Sequence, residues 1–155
     1  MTAKPNANAP ANPERVDSQP ALGVVSSTCR VGSVSVSDHV GNGTWLIAFE
    51  GEHDLATVPL VEAKTREVWS RCAHAVVDFA DATFIDSSVI KWLESARSEL
   101  GAVEGQAISI VEGPPGSIVT RVIDLLGLRE IFPCHRSRED AIAALPIPSG
   151  QPRRA

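Results

Sequence analysis

Val76-Val77-Asp78-Phe79-Ala80-Asp81-Ala82-Thr83-Phe84-Ile85-Asp86-Ser87-Ser88 is the stretch on which the fold turns. It begins inside an apolar run, Ala75 to Phe79, broken only by Asp78, which reads as a central strand covered on both faces. Small and acidic residues follow, and Phe84 and Ile85 then return to the core. Past Ser87, the residues Val89, Leu93, Ala96 and Leu100 recur at i, i+4, i+7 and i+11, one apolar stripe along a helix. The stretch is therefore a strand, a short turn and a helix. Asp86 and Ser87 both carry side chains that cap helix N-termini, so the Ser87 hydroxyl is presented at the helix start. There it lies near unpaired backbone N–H groups and the positive end of the helix dipole. A phosphate attached at that point is stabilised by the same groups and adds roughly -1.5 to -2 charges at neutral pH. Asp-Ser-Ser ahead of an apolar stripe is equally a plain capping sequence, and three residues alone do not separate the two readings.

Outward from this junction, strands and helices alternate. Val31 to Ser37 and Thr44 to Phe49 read as two strands joined by Gly41-Asn42-Gly43, a hairpin turn whose residues tolerate positive φ, so the pair is antiparallel. Asp54-Leu55-Ala56-Thr57 leads into a helix, with Thr57 as N-cap, Pro59 in the first turn, and Val61, Val68 and Cys72 at helical spacing. Ala107 to Val111 is a further strand, broken by Gly113-Pro114-Pro115-Gly116. Ser117 to Leu126 reads as a helix ended by Gly127. Ile131-Phe132 is expected as a short edge strand. Ser137-Arg138-Glu139-Asp140 opens a last helix to Leu145, with Asp140 standing where a capping box usually has Glu or Gln. The class is α/β: a mixed sheet of about four to five strands flanked by about four helices. Residues 1–22 and 146–155 are rich in small, polar and proline residues, too poor in large apolar side chains to offset their ordering entropy. The expected organisation is a disordered arm at 1–22, one domain at 23–145 and a flexible tail at 146–155.

The totals exclude several functions. A chain of 155 residues with 43% hydrophobic and 21% charged residues is of one-domain, globular type. A net charge of -5 argues against general nucleic-acid binding, and the Arg153-Arg154 pair is too small a basic cluster to reverse that. No apolar run approaches the roughly 20 residues that span a bilayer, and no basic-then-apolar signal pattern opens the chain. The expected location is the cytoplasm. Cys29, Cys72 and Cys134 are odd in number and widely separated, as suits reduced thiols, and none has metal-ligand spacing. No metal or cofactor is expected.

From Gly51-Glu52-His53-Asp54-Leu55-Ala56-Thr57 through Thr83-Phe84-Ile85-Asp86-Ser87-Ser88 to Val122-Ile123-Asp124-Leu125-Leu126-Gly127-Leu128, the sequence resembles the STAS-domain anti-sigma factor antagonists of bacteria. The resemblance runs from about Val31 to Leu145 and is most specific over Phe84 to Ser88. It implies the STAS fold and a switch serine at Ser87, phosphorylated by an anti-sigma factor that is also a serine kinase and restored by a PP2C-type phosphatase. The unmodified antagonist binds the anti-sigma factor and releases sigma; phosphate at the interface blocks binding. Asp54, Asp86, Ser88, Val89, Lys91 and Trp92 are the residues expected to meet the partner.

The two glycines of the family's Asp-Ser-Ser-Gly-Leu-Gly are replaced here, by Val89 and Lys91. His53 replaces the Leu of Gly-Glu-Leu-Asp. Val89 and Lys91 are expected to add bulk where a partner approaches. Lys91, four residues beyond Ser87, shares its helix face; it either offsets part of a phosphate's charge or is a solvated lysine. Asp54 and Asp86 either orient and deprotonate Ser87 or only cap their helices. His53 is expected as a partly exposed loop residue. Trp92 departs from the apolar stripe, to pack on a neighbouring helix or stand exposed as an interface anchor, while Trp45 and Trp69 read as core or near-core.

Catalysis is not expected. The Gly-x-Ser-x-Gly elbow is absent, no His is marked as a base, and the prolines of Gly113-Pro114-Pro115-Gly116 remove N–H groups that a phosphate loop needs. The rival to a phosphorylated antagonist is a divergent STAS module that binds a protein or small ligand without phosphorylation.

Overall fold

The computed structural model describes residues 32–39, 43–101 and 106–146. The expected N-terminal arm, nearly all of the expected tail, Cys29 and Gly41-Asn42 lie outside them. Gly43 closes the hairpin turn at φ 77°, in the left-handed region that favours glycine. The strands it joins, β1 (Ser33–His39) and β2 (Thr44–His53), are antiparallel, with Ser33 opposite Glu50 and His39 opposite Thr44. Next come α1 (Val58–Trp69), β3 (His74–Ile85), α2 (Ser87–Gly101) and β4 (Ala107–Val111). The chain closes with α3 (Ile118–Leu125), α4 (Leu128–Ile131), β5 (Cys134–His135) and α5 (Arg138–Ala143). The sheet runs β1-β2-β3-β4-β5, parallel from β2 onward.

The central strand is β3, and its alternation explains the apolar run. Ala75, Val77 and Phe79 join the main core with Val61 and Val68 of α1, Val119 and Ile123 of α3, and the whole expected α2 stripe of Val89, Leu93, Ala96 and Leu100. Val76 joins Val111 and Ala141 in a second cluster under α5. Asp78, the single polar interruption, is 1% exposed and ion-paired to Arg138 of α5, while its Oδ1 accepts a 2.8 Å bond from the Ala80 N–H. A buried carboxylate needs such partners.

Several local expectations are corrected. Ile131-Phe132 is not a strand: Gly127, at φ 63°, ends α3 and starts the single turn α4, which buries Leu128 and Phe132. The edge strand falls after Pro133, at Cys134–His135. Phe84 does not return to the core but is 38% exposed. The register between β2 and β3 slips twice, between Ala48 and Glu50 and between Gly51 and Glu52, so Ala82 and Ile85 face inward three residues apart. Cys72 and Cys134 are free, and burial pushes their thiols up to about 12 and about 11. No group of His, Cys, Asp and Glu among the described residues has a metal-binding arrangement. No helix among them is long and apolar enough to cross a membrane.

Candidate functional site

The site forms where β2 and β3 end side by side. His53 is the register partner of Ile85, and the Asp86 N–H donates to the His53 carbonyl at 3.2 Å. Asp54 and Asp86 therefore leave adjacent strand ends. Of the two capping candidates, Asp86 caps α2 and Ser87 is the first helical residue. Asp86 Oδ1 accepts from the N–H of Ser88 at 2.8 Å and of Val89 at 3.4 Å, and also from the Ser88 hydroxyl. Its Oδ2 accepts from the Leu55 N–H at 3.2 Å, which ties the loop after β2 to the start of α2. Burial pushes the Asp86 carboxyl up, but these hydrogen bonds together outweigh it and leave the pKa below the ordinary carboxylate value. A carboxylate so occupied is a poor proton acceptor.

The two serines are thereby distinguished. Ser88 spends its hydroxyl on Asp86. Ser87 is exposed, and its hydroxyl has no hydrogen-bond partner among the described residues. Beside them, Asp54 Oδ1 accepts from the Ala56 N–H at 2.9 Å, in a tight turn at the strand end. Thr57 occupies the cap position of α1 but does not cap it, because its hydroxyl turns back to the Asp54 N–H at 3.0 Å and carbonyl at 2.9 Å.

Asp86, Ser87, Ser88, Lys91 and Trp92 line one open depression of about 370 Å³, faced from the α1 side by Leu55, Val58 and Glu62. Lys91 is exposed there. Val89 is not part of it. At 1% exposure its side chain belongs to the core, since it begins the inward stripe of α2, so it adds no bulk to a partner surface. Trp92 is not an exposed anchor either. It is 6% exposed and packs at ring-centroid distances of 5.4 Å from Phe49 and 6.1 Å from Trp69. Trp45 and Trp69 are half-buried against the core, as read.

His53 is also corrected. It is the last residue of β2 rather than a loop residue, fully buried, with its ring edge-on to Phe49 at 4.8 Å. Its Nε2–H donates to the Glu50 carbonyl at 3.1 Å, while Nδ1 is buried without a partner among the described residues. A Cβ on Gly32 would stand 2.5 Å from the ring, so the glycine permits this packing. Burial lowers the His53 pKa against the raising effect of the Glu50 and Ser33 backbone and Asp54.

Leu55, 72% exposed, and Phe84 were given no surface role from sequence. The signal for Leu55 was its place directly after a turn aspartate, off the Val61–Val68 stripe of α1. Glu62 had no local signal, because only the packing of α1 on α2 brings it to the depression.

A family model described as STAS domain matches residues 35–141. The chain is 30% identical over 114 residues to the anti-sigma-F factor antagonist RsfB of Mycobacterium tuberculosis, a match covering 73% of this chain and 88% of that protein. A solved anti-sigma factor antagonist from Mycobacterium paratuberculosis matches at TM-score 0.62 and 28% identity, over 74% of this chain and 94% of that one. The unphosphorylated form of the anti-sigma factor antagonist SpoIIAA shares the fold at TM-score 0.60 and 24% identity, over 71% of this chain and 93% of that one. The chain belongs to the STAS domain family and is homologous to anti-sigma factor antagonists.

Proposed function

We propose that this protein is an anti-sigma factor antagonist, docking its partner at the depression between α1 and α2 and switched by phosphorylation of Ser87. The unmodified chain binds an anti-sigma factor and so frees a sigma factor. The anti-sigma factor, acting as a serine kinase, transfers the γ-phosphoryl group of ATP to Ser87: the Oγ–P bond forms, the bond from the γ-phosphorus to the bridging oxygen breaks, and ADP leaves. The proton of the hydroxyl goes to Asp54 or to a base of the kinase, because Asp86 already accepts from Ser88, Val89 and Leu55. A PP2C-type phosphatase hydrolyses the phosphoserine and restores the hydroxyl.

The observation that carries this reading is the contrast between the two serines. Ser87 is exposed on the rim of the depression with an uncommitted hydroxyl, and Ser88 is held by the cap. Leu55 and Phe84 supply exposed apolar surface nearby, the kind that anchors a partner.

The second reading, a STAS module that binds without phosphorylation, is favoured by Lys91 alone, since a lysine in the depression replaces a small residue of the family pattern. One experiment separates them. The chain is incubated with a candidate anti-sigma factor kinase and ATP, and the modification is mapped by mass spectrometry. Phosphate on Ser87, absent in Ser87→Ala, with binding lost in Ser87→Asp, supports the antagonist. Tight binding unchanged by either substitution supports the plain module.

A further inference from the structure

We infer that Lys91 holds the phosphate of phosphorylated Ser87 in cis, so that the modified serine and this lysine form an ion pair over the depression. The inference rests on Ser87 as the modified residue. Ser87 and Lys91 lie four residues apart on α2, both exposed and both on the wall of the same depression. In a helix that spacing brings Cβ atoms within about 6 Å, and an anion four residues before a cation is the favourable order. Side chains also lean toward the helix N-terminus, which carries the lysine stem back toward Ser87.

The surroundings leave Lys91 available. It makes no ion pair among the described residues, and the three ion pairs found there belong to Arg129 and Arg138. The other charged groups that line the depression, Asp86 and Glu62, are anionic, so Lys91 is the only cation lining it among the described residues. A phosphate on Ser87 therefore shares the depression with one lining cation, Lys91, and with two carboxylates, Asp86 and Glu62, that repel it.

Two effects follow. The lysine cancels about one of the roughly -1.5 to -2 charges that the phosphate brings, which softens long-range repulsion of a partner. It also fixes the phosphate on the wall of the depression, so exclusion works by steric obstruction there as well as by charge.

The test uses full-length protein with phosphoserine installed at position 87 during translation, which makes it independent of any kinase. The second pKa of the phosphate is followed by phosphorus NMR in the Lys91 protein and in Lys91→Ala and Lys91→Arg variants. At low salt the Lys91 protein is expected to titrate about 0.3 pH units below Lys91→Ala. Lys91→Arg should restore the shift, and 0.5 M salt should remove it. The same titration in the Lys91 protein and in Lys91→Ala, within 0.1, overturns the inference. Failure of a kinase to label Ser87 would instead overturn the proposed function and leave this result standing.

Discussion

Two regions of the sheet treat their carboxylates in opposite ways, one where β3 passes the end of β4 and the other where β2 and β3 end. Under α5 and beside α4, Asp78 and Glu112 are 1% and 7% exposed, and each is ion-paired to an arginine, Arg138 and Arg129. Arg129 also reaches Asp124 at 2.6 Å, so that end is closed by side-chain charge pairs. At the ends of β2 and β3, Asp86 is satisfied by backbone N–H groups and the Ser88 hydroxyl, with no arginine. The first end is finished as structure. The second holds a loop and a helix start together while leaving Ser87, Lys91 and Leu55 open to solvent, and it is here that partner docking is proposed.

The largest expected effect breaks the closed end. Arg138→Ala strands the buried Asp78 carboxylate and is expected to cost about 3 kcal/mol in urea unfolding. A loss below about 1 kcal/mol would mean that Asp78 finds water or a proton and that the contrast between the two ends is overstated. Asp86→Ala, at the open end, removes the cap and is expected to cost about 1–2 kcal/mol in the same assay. It should also free the Leu55 N–H, seen as faster hydrogen exchange there.

The next effect belongs to His53 beneath the open end. Its pKa is lowered in the folded chain, so on acidification the unfolded state takes up the proton first. Stability is full above the ordinary histidine pKa of about 6.5 and falls as pH drops from there toward the folded value. Burial lowers the pKa of His74 as well, so His53→Leu should make the slope shallower without abolishing it, by at most about 1.4 kcal/mol per pH unit. An unchanged slope in chemical denaturation at pH 7 and 5.5 would deny His53 this role. The smallest effect is that of Ser87→Ala, expected within about 0.5 kcal/mol because the hydroxyl has no partner among the described residues. A greater loss would make Ser87 a structural residue and remove the main difference from Ser88.

Much of this was legible in the sequence where the signal is local. The α2 stripe, the Ala107–Val111 strand, the Ser137 cap and the Gly127 stop all depend on residues close in the chain, and all appear as expected. The failures have a common physical cause, which is dependence on distant neighbours. His53 is buried because β2 runs past Phe49 and meets Gly32 and β3, and Phe84 is exposed because the β2–β3 register slips. Val89 and Lys91 looked alike as bulky replacements of glycine, yet helix phase sends one into the core and the other into the depression. Spacing put Ser87 and Ser88 together at the helix start, but only the placement of Asp86 separates their hydroxyls.

The central claim is that Ser87 gates partner binding at the open end, and affinity for the anti-sigma factor tests it most directly. Binding is measured by calorimetry for the unmodified chain and for the same chain carrying phosphoserine at position 87. Loss of affinity on the order of 100-fold, about 2.7 kcal/mol, is predicted. Equal affinity of the two forms would contradict it.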